Sequence, residues 1–352
     1  MTRNPLVRAL FWPASVLFGG LVRVRARAYR RGILKQKRLK GVVISVGNLT
    51  VGGTGKTPMV MWLAERLHAK GKSVGILIRG YRGRMEPGEG AATSGRTSSP
   101  RSRLTSDEVW LLEQRLSEKV HIGVGPKRHT RGVQLEKAGV EWFILDDGFQ
   151  HLQLARDMDI VLIDSTDPFG GGLLPAGRLR EPPSALARAD LIVITRTERS
   201  PAIETVVRRY TPAPVFYATT YLEGIRALEA SRAEEATPAW LGKKVFAFCG
   251  IGNPSAFFDN VRHWGMELAG RMAFRDHYRF TQYDADQIER RAKACGAEAL
   301  VCTEKDAYNL AGVRFAAFPA YSCNVSLRIT QEEEFWRSLF EILERRRGAD
   351  LP

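Results

Sequence analysis

Thr50-Val51-Gly52-Gly53-Thr54-Gly55-Lys56-Thr57 lies between a strand-like run, Val42–Val46, and a helical pattern, Pro58–Lys70. Strand, glycine-rich turn and helix in that order make a phosphate-binding loop. Small residues let peptide N–H groups curl around phosphate oxygens, and the helix N-terminus adds the positive end of its dipole. In this reading Thr50, Val51, Gly52, Gly53, Thr54 and Gly55 form the cradle. Lys56 reaches the β- and γ-phosphates, and the Thr57 hydroxyl binds Mg²⁺, so ATP and Mg²⁺ are the implied cofactors. Pro58 falls near the first helical position, where a missing N–H costs nothing. The usual pattern opens with Gly; here that position is Thr50.

Working outward, short runs rich in Val, Ile and Leu recur at Val74–Ile78, His121–Val124, Trp142–Leu145, Ile160–Ile163 and Leu191–Ile194. They are apolar on both faces, as buried parallel strands are. Helical patterns fall among them at Ser106–Lys119 and Lys127–Ala138. The alternation predicts an α/β fold: a P-loop NTPase-like, doubly wound, mostly parallel sheet with helices on both faces. The run Trp142–Leu145 ends in Asp146-Asp147-Gly148, the form of a Walker B element, and places a carboxylate where it can hold Mg²⁺. Which of Asp146 and Asp147 touches the metal stays open at this point.

A second, smaller α/β domain is expected after a boundary near residues 222–240. It carries strands Val245–Phe248 and Ala299–Cys302 and helices Pro254–Trp264, Gln282–Cys295 and Gln331–Arg346. The expected division is an N-terminal region 1–40, a kinase-like domain 41–222, a linker 223–240 and a C-terminal domain 241–352. Arg84–Arg103, rich in Gly, Ser, Pro and Arg, reads as a surface loop.

The chain has 352 residues, with 53 Lys and Arg against 38 Asp and Glu. A net charge of +15 points to a polyanionic partner. Nucleic acid is disfavoured, because no aromatic-interleaved basic stretch or recognised binding motif occurs. The four cysteines form no C-x-x-C pair, so neither a disulfide framework nor a zinc site is readable. At the N-terminus, Leu6–Val24 is mostly apolar and passes into Arg23, Arg25, Arg27, Arg30, Arg31, Lys35, Lys37, Arg38 and Lys40. The uninterrupted core Ala9–Val22 is short for a spanning segment. Apolar residues backed by a basic cluster describe an interfacial helix at an anionic membrane surface, peripheral or monotopic.

The run Asp146-Asp147-Gly148-Phe149-Gln150-His151 resembles the signature of tetraacyldisaccharide 4′-kinases, enzymes of lipid A biosynthesis. Gly47–Pro58, Arg79-Gly80-Tyr81, Asp107-Glu108, Gly125–Arg128 and Leu173–Pro182 resemble the same family. So do Gly252-Asn253-Pro254, Asp276-His277-Tyr278 and Thr303–Asp306. A local departure is Gly170-Gly171-Gly172, where the family pattern has a polar middle residue. The resemblance implies an acylated glucosamine disaccharide 1-phosphate lipid as substrate and the cytoplasmic face of the bacterial inner membrane as the place of work. No obligate protein partner is indicated.

Roles carry over residue by residue. Asp107 matches the catalytic base; read from the residues alone, Ser106-Asp107-Glu108 is a helix N-cap. Asp147 joins the catalytic set, Asp146 and Glu181 match metal-holding positions, and Gln150 and His151 lie near the nucleotide. Arg180 pairs with Glu181 in the same polar network. His277 matches a second-domain residue of the active site; read alone, a histidine beside Asp276 is more often a supporting hydrogen-bonding residue. Arg79, Arg82, Arg84, Arg128 and Arg178 are candidate contacts for the substrate's phosphate. Two rivals remain: a P-loop kinase of a soluble phosphorylated metabolite, and a non-catalytic nucleotide-sensing membrane module.

Overall fold

The computed structural model describes residues 5–80, 106–116, 119–228 and 240–348. Arg82, Arg84, Tyr81 and the Arg84–Arg103 segment lie outside them. Among the described residues the chain forms two compact units. The first holds 5–80, 115–116, 119–219 and 328–348; the second holds 106–114, 220–228 and 240–327.

In the first unit the strands β1 (Val42–Asn48), β2 (Val74–Ile78), β3 (His121–Val124), β4 (Trp142–Asp146), β5 (Met158–Asp164), β6 (Leu191–Thr195) and the start of β7 (Val215–Ala227) pair in the order β3-β2-β4-β1-β5-β6-β7. Every pairing is parallel. β1, β2, β4, β5 and β6 are buried along their whole lengths, which is why they read as continuous apolar runs rather than alternating ones. The chain leaves β1 toward β2 on one side and later returns to β5 on the other. The carboxyl end of β1 is therefore the switch point where open α/β sheets bind ligands.

Helices α2 (Lys56–Ala69), α4 (Arg128–Glu136) and α5 (Pro201–Arg208) are the crossovers that follow β1, β3 and β6. Helix α9 (Glu332–Arg347), expected in a C-terminal domain, belongs to the first unit. Its Phe335 and Trp336 lie with ring centroids 5.4 Å from that of Trp62 on α2, and Phe335 meets Phe216 at 5.3 Å. Burial of these large rings outweighs sequence proximity.

Helix α1 (Pro5–Arg30) is seated through residues one turn apart. Ser15 Oγ donates to Leu173 O at 3.1 Å and accepts from Ala176 N at 3.0 Å. A Cβ on Gly19 would come within 2.7 Å of Leu173 Cδ1, so a side chain there would require Leu173 to shift. Its outer face leaves Leu10, Trp12, Val16, Leu17, Leu21 and Val24 exposed. By length and composition, Ala9–Arg30 is long and apolar enough to cross a membrane, more than the Ala9–Val22 core suggested.

The second unit has strands β8 (Lys244–Cys249), β9 (Glu267–Ala273), β10 (Ala299–Thr303) and β11 (Ala320–Ile329) in the parallel order β11-β10-β8-β9. Helices α6 (Pro254–His263), α7 (Gln282–Ala294) and α8 (Glu304–Asn309) accompany them. Residues 223–227, expected in a linker, continue β7, and Trp240 is fully buried in the core with Val245, Val301 and Tyr321. Small and acidic residues at 223–235 hid that strand in the sequence. The first residues of α3 (Asp107–Leu116) also join this unit, with Trp110 packed on Tyr308 at 5.6 Å.

Candidate active site

The loop Thr50–Gly55 runs from the end of β1 straight into α2, whose N-cap is Gly55 in the left-handed region at φ 84°. Gly52 sits at φ 112°, a conformation side chains rarely adopt. Thr50, Thr54 and Thr57 are buried, and Val51 and Gly52 are half-buried. Asn48, the last residue of β1 and fully buried, donates from Nδ2 to Thr50 O at 2.9 Å. Its Oδ1 accepts from Lys56 Nζ at 3.2 Å and from Arg180 Nη2. One buried amide thus fixes both the loop entrance and two cations. Asn48 received no role in the sequence reading; a polar residue at the carboxyl end of an otherwise apolar strand was the available signal.

Asp146 closes β4, aligned with Val46 on the neighbouring β1. Asp147 follows in the left-handed region at φ 48°, an uncommon conformation that aims its carboxylate at the cations. Arg180 grips it in a fork, Nη1 to Oδ2 at 2.7 Å and Nη2 to Oδ1 at 2.8 Å, and Lys56 Nζ lies 3.6 Å from Oδ1. Burial alone would raise the Asp147 pKa; the Arg180 hydrogen bond and the Lys56, Arg180 and Arg128 charges outweigh it and hold it well below the carboxylate range. Asp147 is therefore ionised under all ordinary conditions.

Gln150 donates from Nε2 to Asn48 O at 3.0 Å and to Glu181 Oε1 at 3.1 Å. Glu181 takes a second fork, from Arg188, at 2.7 and 2.9 Å. Both Glu181 oxygens thus face a guanidinium, a geometry that suits holding Gln150 better than coordinating a metal. His151 is pushed down to about 4, first by burial and then by the charges of Arg128, Arg156, Arg25 and Arg79, so it stays neutral near pH 7. Arg128, a candidate phosphate contact, is buried. The structure brings Thr50–Thr57, Asp146, Asp147, Gln150, Arg180 and Glu181 to one end of the first unit's sheet.

In the second unit, Asp107 begins α3 with Ser106 Oγ accepting from Val109 N at 3.3 Å, so the expected cap is Ser106. The buried Asp107 carboxylate receives His277 Nδ1 at 2.8 Å. Burial raises its pKa, but the His277 hydrogen bond, the Lys305 and His277 charges and the Glu108 amide prevail, leaving it below the ordinary value. His277 is raised, chiefly by the hydrogen bond to Asp107. His277 adopts φ 56°, which turns its ring onto Asp107. Lys305 Nζ pairs with Glu108 Oε1 at 2.9 Å, beside this carboxylate rather than in an exposed turn. Asp306, fully buried, caps α8 through Thr303 and accepts from Gly250 N at 2.8 Å. Asp306 is thereby an organiser of the β8 and β10 strand ends.

A glycine loop at the switch point, a lysine and hydroxyl at its exit, and strand-end carboxylates define a phosphotransferase of the P-loop class. The chain matches the family described as Tetraacyldisaccharide-1-P 4'-kinase over residues 7–344 and belongs to that family. It is 40% identical to the tetraacyldisaccharide 4'-kinase of Geobacter metallireducens, over 88% of this chain and 90% of the relative. It is 36% identical to that of Koribacter versatilis, over 96% and 99%. The crystal structure of LpxK from Aquifex aeolicus in complex with ATP superposes with a TM-score of 0.74 at 31% identity, covering 96% of this chain and 99% of that one. The chain is thus an ATP-dependent kinase of the tetraacyldisaccharide 1-phosphate in lipid A biosynthesis; a soluble metabolite as acceptor is not favoured.

Proposed function

We propose that this chain transfers the γ-phosphoryl group of ATP to the 4′-hydroxyl of the lipid through the loop Thr50–Thr57 and the Asp107–His277 pair. The observation that carries the assignment is the buried Asp107 carboxylate, held at 2.8 Å by His277 Nδ1. A carboxylate fixed this way can orient an alcohol and accept its proton, as the acceptor of a kinase requires. The O4′ proton passes to Asp107, O4′ bonds to the γ-phosphorus, and the bond to the β,γ-bridging oxygen breaks to leave ADP. Lys56 offsets charge on the transferring group. Asp147 sets the position of Lys56 and Arg180, and Glu181 sets Gln150. His151, neutral near pH 7, can offer a hydrogen bond without adding charge.

Among the described residues no three His, Cys, Asp or Glu side chains meet as a protein-only metal cage. That suits Mg²⁺, which is commonly held by one or two protein oxygens plus phosphates and water. Thr57 and Asp146 would hold it, and bound there it would neutralise charge on the β- and γ-phosphates. The exposed row Leu10, Trp12, Val16, Leu17, Leu21 and Val24, followed by Arg23, Arg25, Arg27 and Arg30, supports seating α1 in the cytoplasmic leaflet of the inner membrane, where the substrate's acyl chains reside. The direct test is transfer of labelled γ-phosphate from ATP to a tetraacylated diglucosamine 1-phosphate in mixed micelles, with Lys56→Ala as blank. Labelled lipid absent from the blank is expected; nucleotide binding with no labelled lipid would rule the acceptor out.

A further inference from the structure

Three carbonyl oxygens of the phosphate loop, those of Val51, Gly53 and Thr54, accept from side-chain donors outside the loop. Val51 O accepts from both Nε (3.1 Å) and Nη2 (2.7 Å) of Arg178. Gly53 O accepts from Arg196 Nη2 at 3.1 Å, and Thr54 O from Thr195 Oγ1 at 3.1 Å. Each arginine is itself anchored by a carboxylate at the end of β5 or in the turn that follows it. Arg178 Nη1 donates to Asp167 Oδ2 at 2.9 Å, and Arg196 Nε to Asp164 Oδ2 at 3.0 Å. Asp164 is fixed in turn by Thr166, whose N and Oγ1 donate to Oδ1 at 2.9 and 2.7 Å.

The backbone is shaped to deliver both arginines. Gly170, Gly171 and Gly172 all have positive φ, at 53°, 71° and 128°. The turn they form brings Arg178 N back to Gly170 O at 2.8 Å. Arg178 also gives its own carbonyl to Val51 N at 2.8 Å, so it holds Val51 from both sides. A Cβ on Gly52 would lie 2.3 Å from Arg178 Nη2; the guanidinium fills the space a side chain there would need. Arg196 adopts φ 65°, sparsely populated for a residue with a side chain.

Peptide planarity turns these contacts into a functional statement. In a trans peptide the C=O of one residue and the N–H of the next point in opposite directions. Fixing Val51 O outward aims the Gly52 N–H inward. Fixing Gly53 O and Thr54 O does the same for the N–H groups of Thr54 and Gly55. Inward N–H groups are what a phosphate cradle consists of. We propose that Arg178 and Arg196 are positioning residues for phosphoryl transfer: they hold the loop carbonyls so that its N–H groups stay aimed at the triphosphate, without touching nucleotide or lipid themselves. This rests on the reading of Thr50–Thr57 as the ATP site.

The test uses the full-length chain in detergent and measures ATP binding without lipid, then kcat and KM for ATP and for lipid separately, alongside apo-protein melting. Losing one charged hydrogen-bond fork should weaken ATP binding about 10- to 100-fold in Arg178→Ala. Arg178→Lys, which cannot supply two N–H groups to one carbonyl, should stay close to Arg178→Ala. Asp167→Asn, which leaves the guanidinium in place, should fall in between, and Arg196→Ala should be weaker than wild type by about tenfold. The lipid KM should move less than about twofold in all of them. Wild-type binding with all variants within about twofold would overturn the positioning role alone. Lost ATP affinity accompanied by an equal loss of lipid affinity and a collapsed melting temperature would also overturn it, in favour of general misfolding. A wild-type chain that binds no ATP would remove the ATP-site reading and this inference with it.

Discussion

The roles proposed for the loop of the first unit and for the Asp107–His277 pair of the second rest on opposite means. The loop is backbone chemistry: N–H groups aimed by glycines and by side chains that grip the carbonyls from outside. The pair is side-chain chemistry: one carboxylate and one imidazole at 2.8 Å, with Lys305 and Glu108 beside them. Backbone chemistry needs a contiguous, glycine-rich stretch and so prints itself in the sequence. Side-chain chemistry needs only two residues, here 170 positions apart, and leaves no local mark. If the loop binds ATP and Asp107 acts on the acceptor, as proposed, substitutions in the two should alter different kinetic parameters.

The largest effect expected is from Asp107→Ala. Removing a base and positioning group typically costs on the order of 10²–10⁴ in rate. That loss should appear in kcat, with ATP affinity unchanged in direct binding. A fall in ATP affinity with little change in kcat would place Asp107 with the loop and erase the contrast. Lys56→Ala comes next, at about 10²–10³ in kcat. Here binding should weaken too, because Lys56 also occupies Asn48 Oδ1 and sits 3.6 Å from Asp147. Asp147→Asn should follow it in the same direction: without the ionised carboxylate, the Arg180 fork and Lys56 lose their shared anchor.

His277→Ala sharpens the comparison through pH. Asp107 sits below its ordinary pKa because His277 and the neighbouring charges outweigh burial. The depressed value keeps Asp107 ionised and able to accept a proton until pH falls through it. Removing His277 removes the largest of the lowering contributions and leaves burial in place, so the Asp107 pKa rises. The acid limb of the pH profile of kcat/KM should therefore move to higher pH in His277→Ala. An unmoved acid limb with a simple loss of rate would make His277 a contributor to the reaction by some route other than the carboxylate.

Much of the first unit was legible. Its strands are buried on both faces, so Val42–Asn48, Trp142–Asp146 and Leu191–Thr195 stand out as apolar runs closed by polar residues. β7, β9 and β11 were not legible: β9 is nowhere fully buried, and β7 mixes Thr, Tyr, Glu and Gly along its length. The membership of α9 was hidden because stacking of Trp336 on Trp62 is a tertiary choice, invisible in either segment alone. In the site, the loop, Asp146 and Asp147 came from pattern. Asp107, His277, Gln150, His151 and Glu181 entered only through resemblance. Asn48, Arg188 and Arg196 escaped both, because each acts on another residue's backbone or side chain.

The smallest expected effect separates both regions from α1. Leu17 and Leu21 lie on the outer face of α1, 66% and 62% exposed, whereas Ser15 and Gly19 hold the helix to Leu173 and Ala176. A Leu17→Glu, Leu21→Glu chain keeps the seated face intact and places two charges in the apolar row. If that row enters a bilayer, losing two leucines and inserting two carboxylates should weaken sedimentation with anionic vesicles by about tenfold or more. Higher salt should weaken what remains, since the Arg23–Arg30 cluster then carries the binding. ATP binding in lipid-free solution should stay at the wild-type value, because both leucines face outward. A variant that sediments as fully as wild type would show that the exposed row is not the membrane-seeking face. One that loses ATP affinity would show that α1 acts on the loop through the Leu173–Arg178 turn.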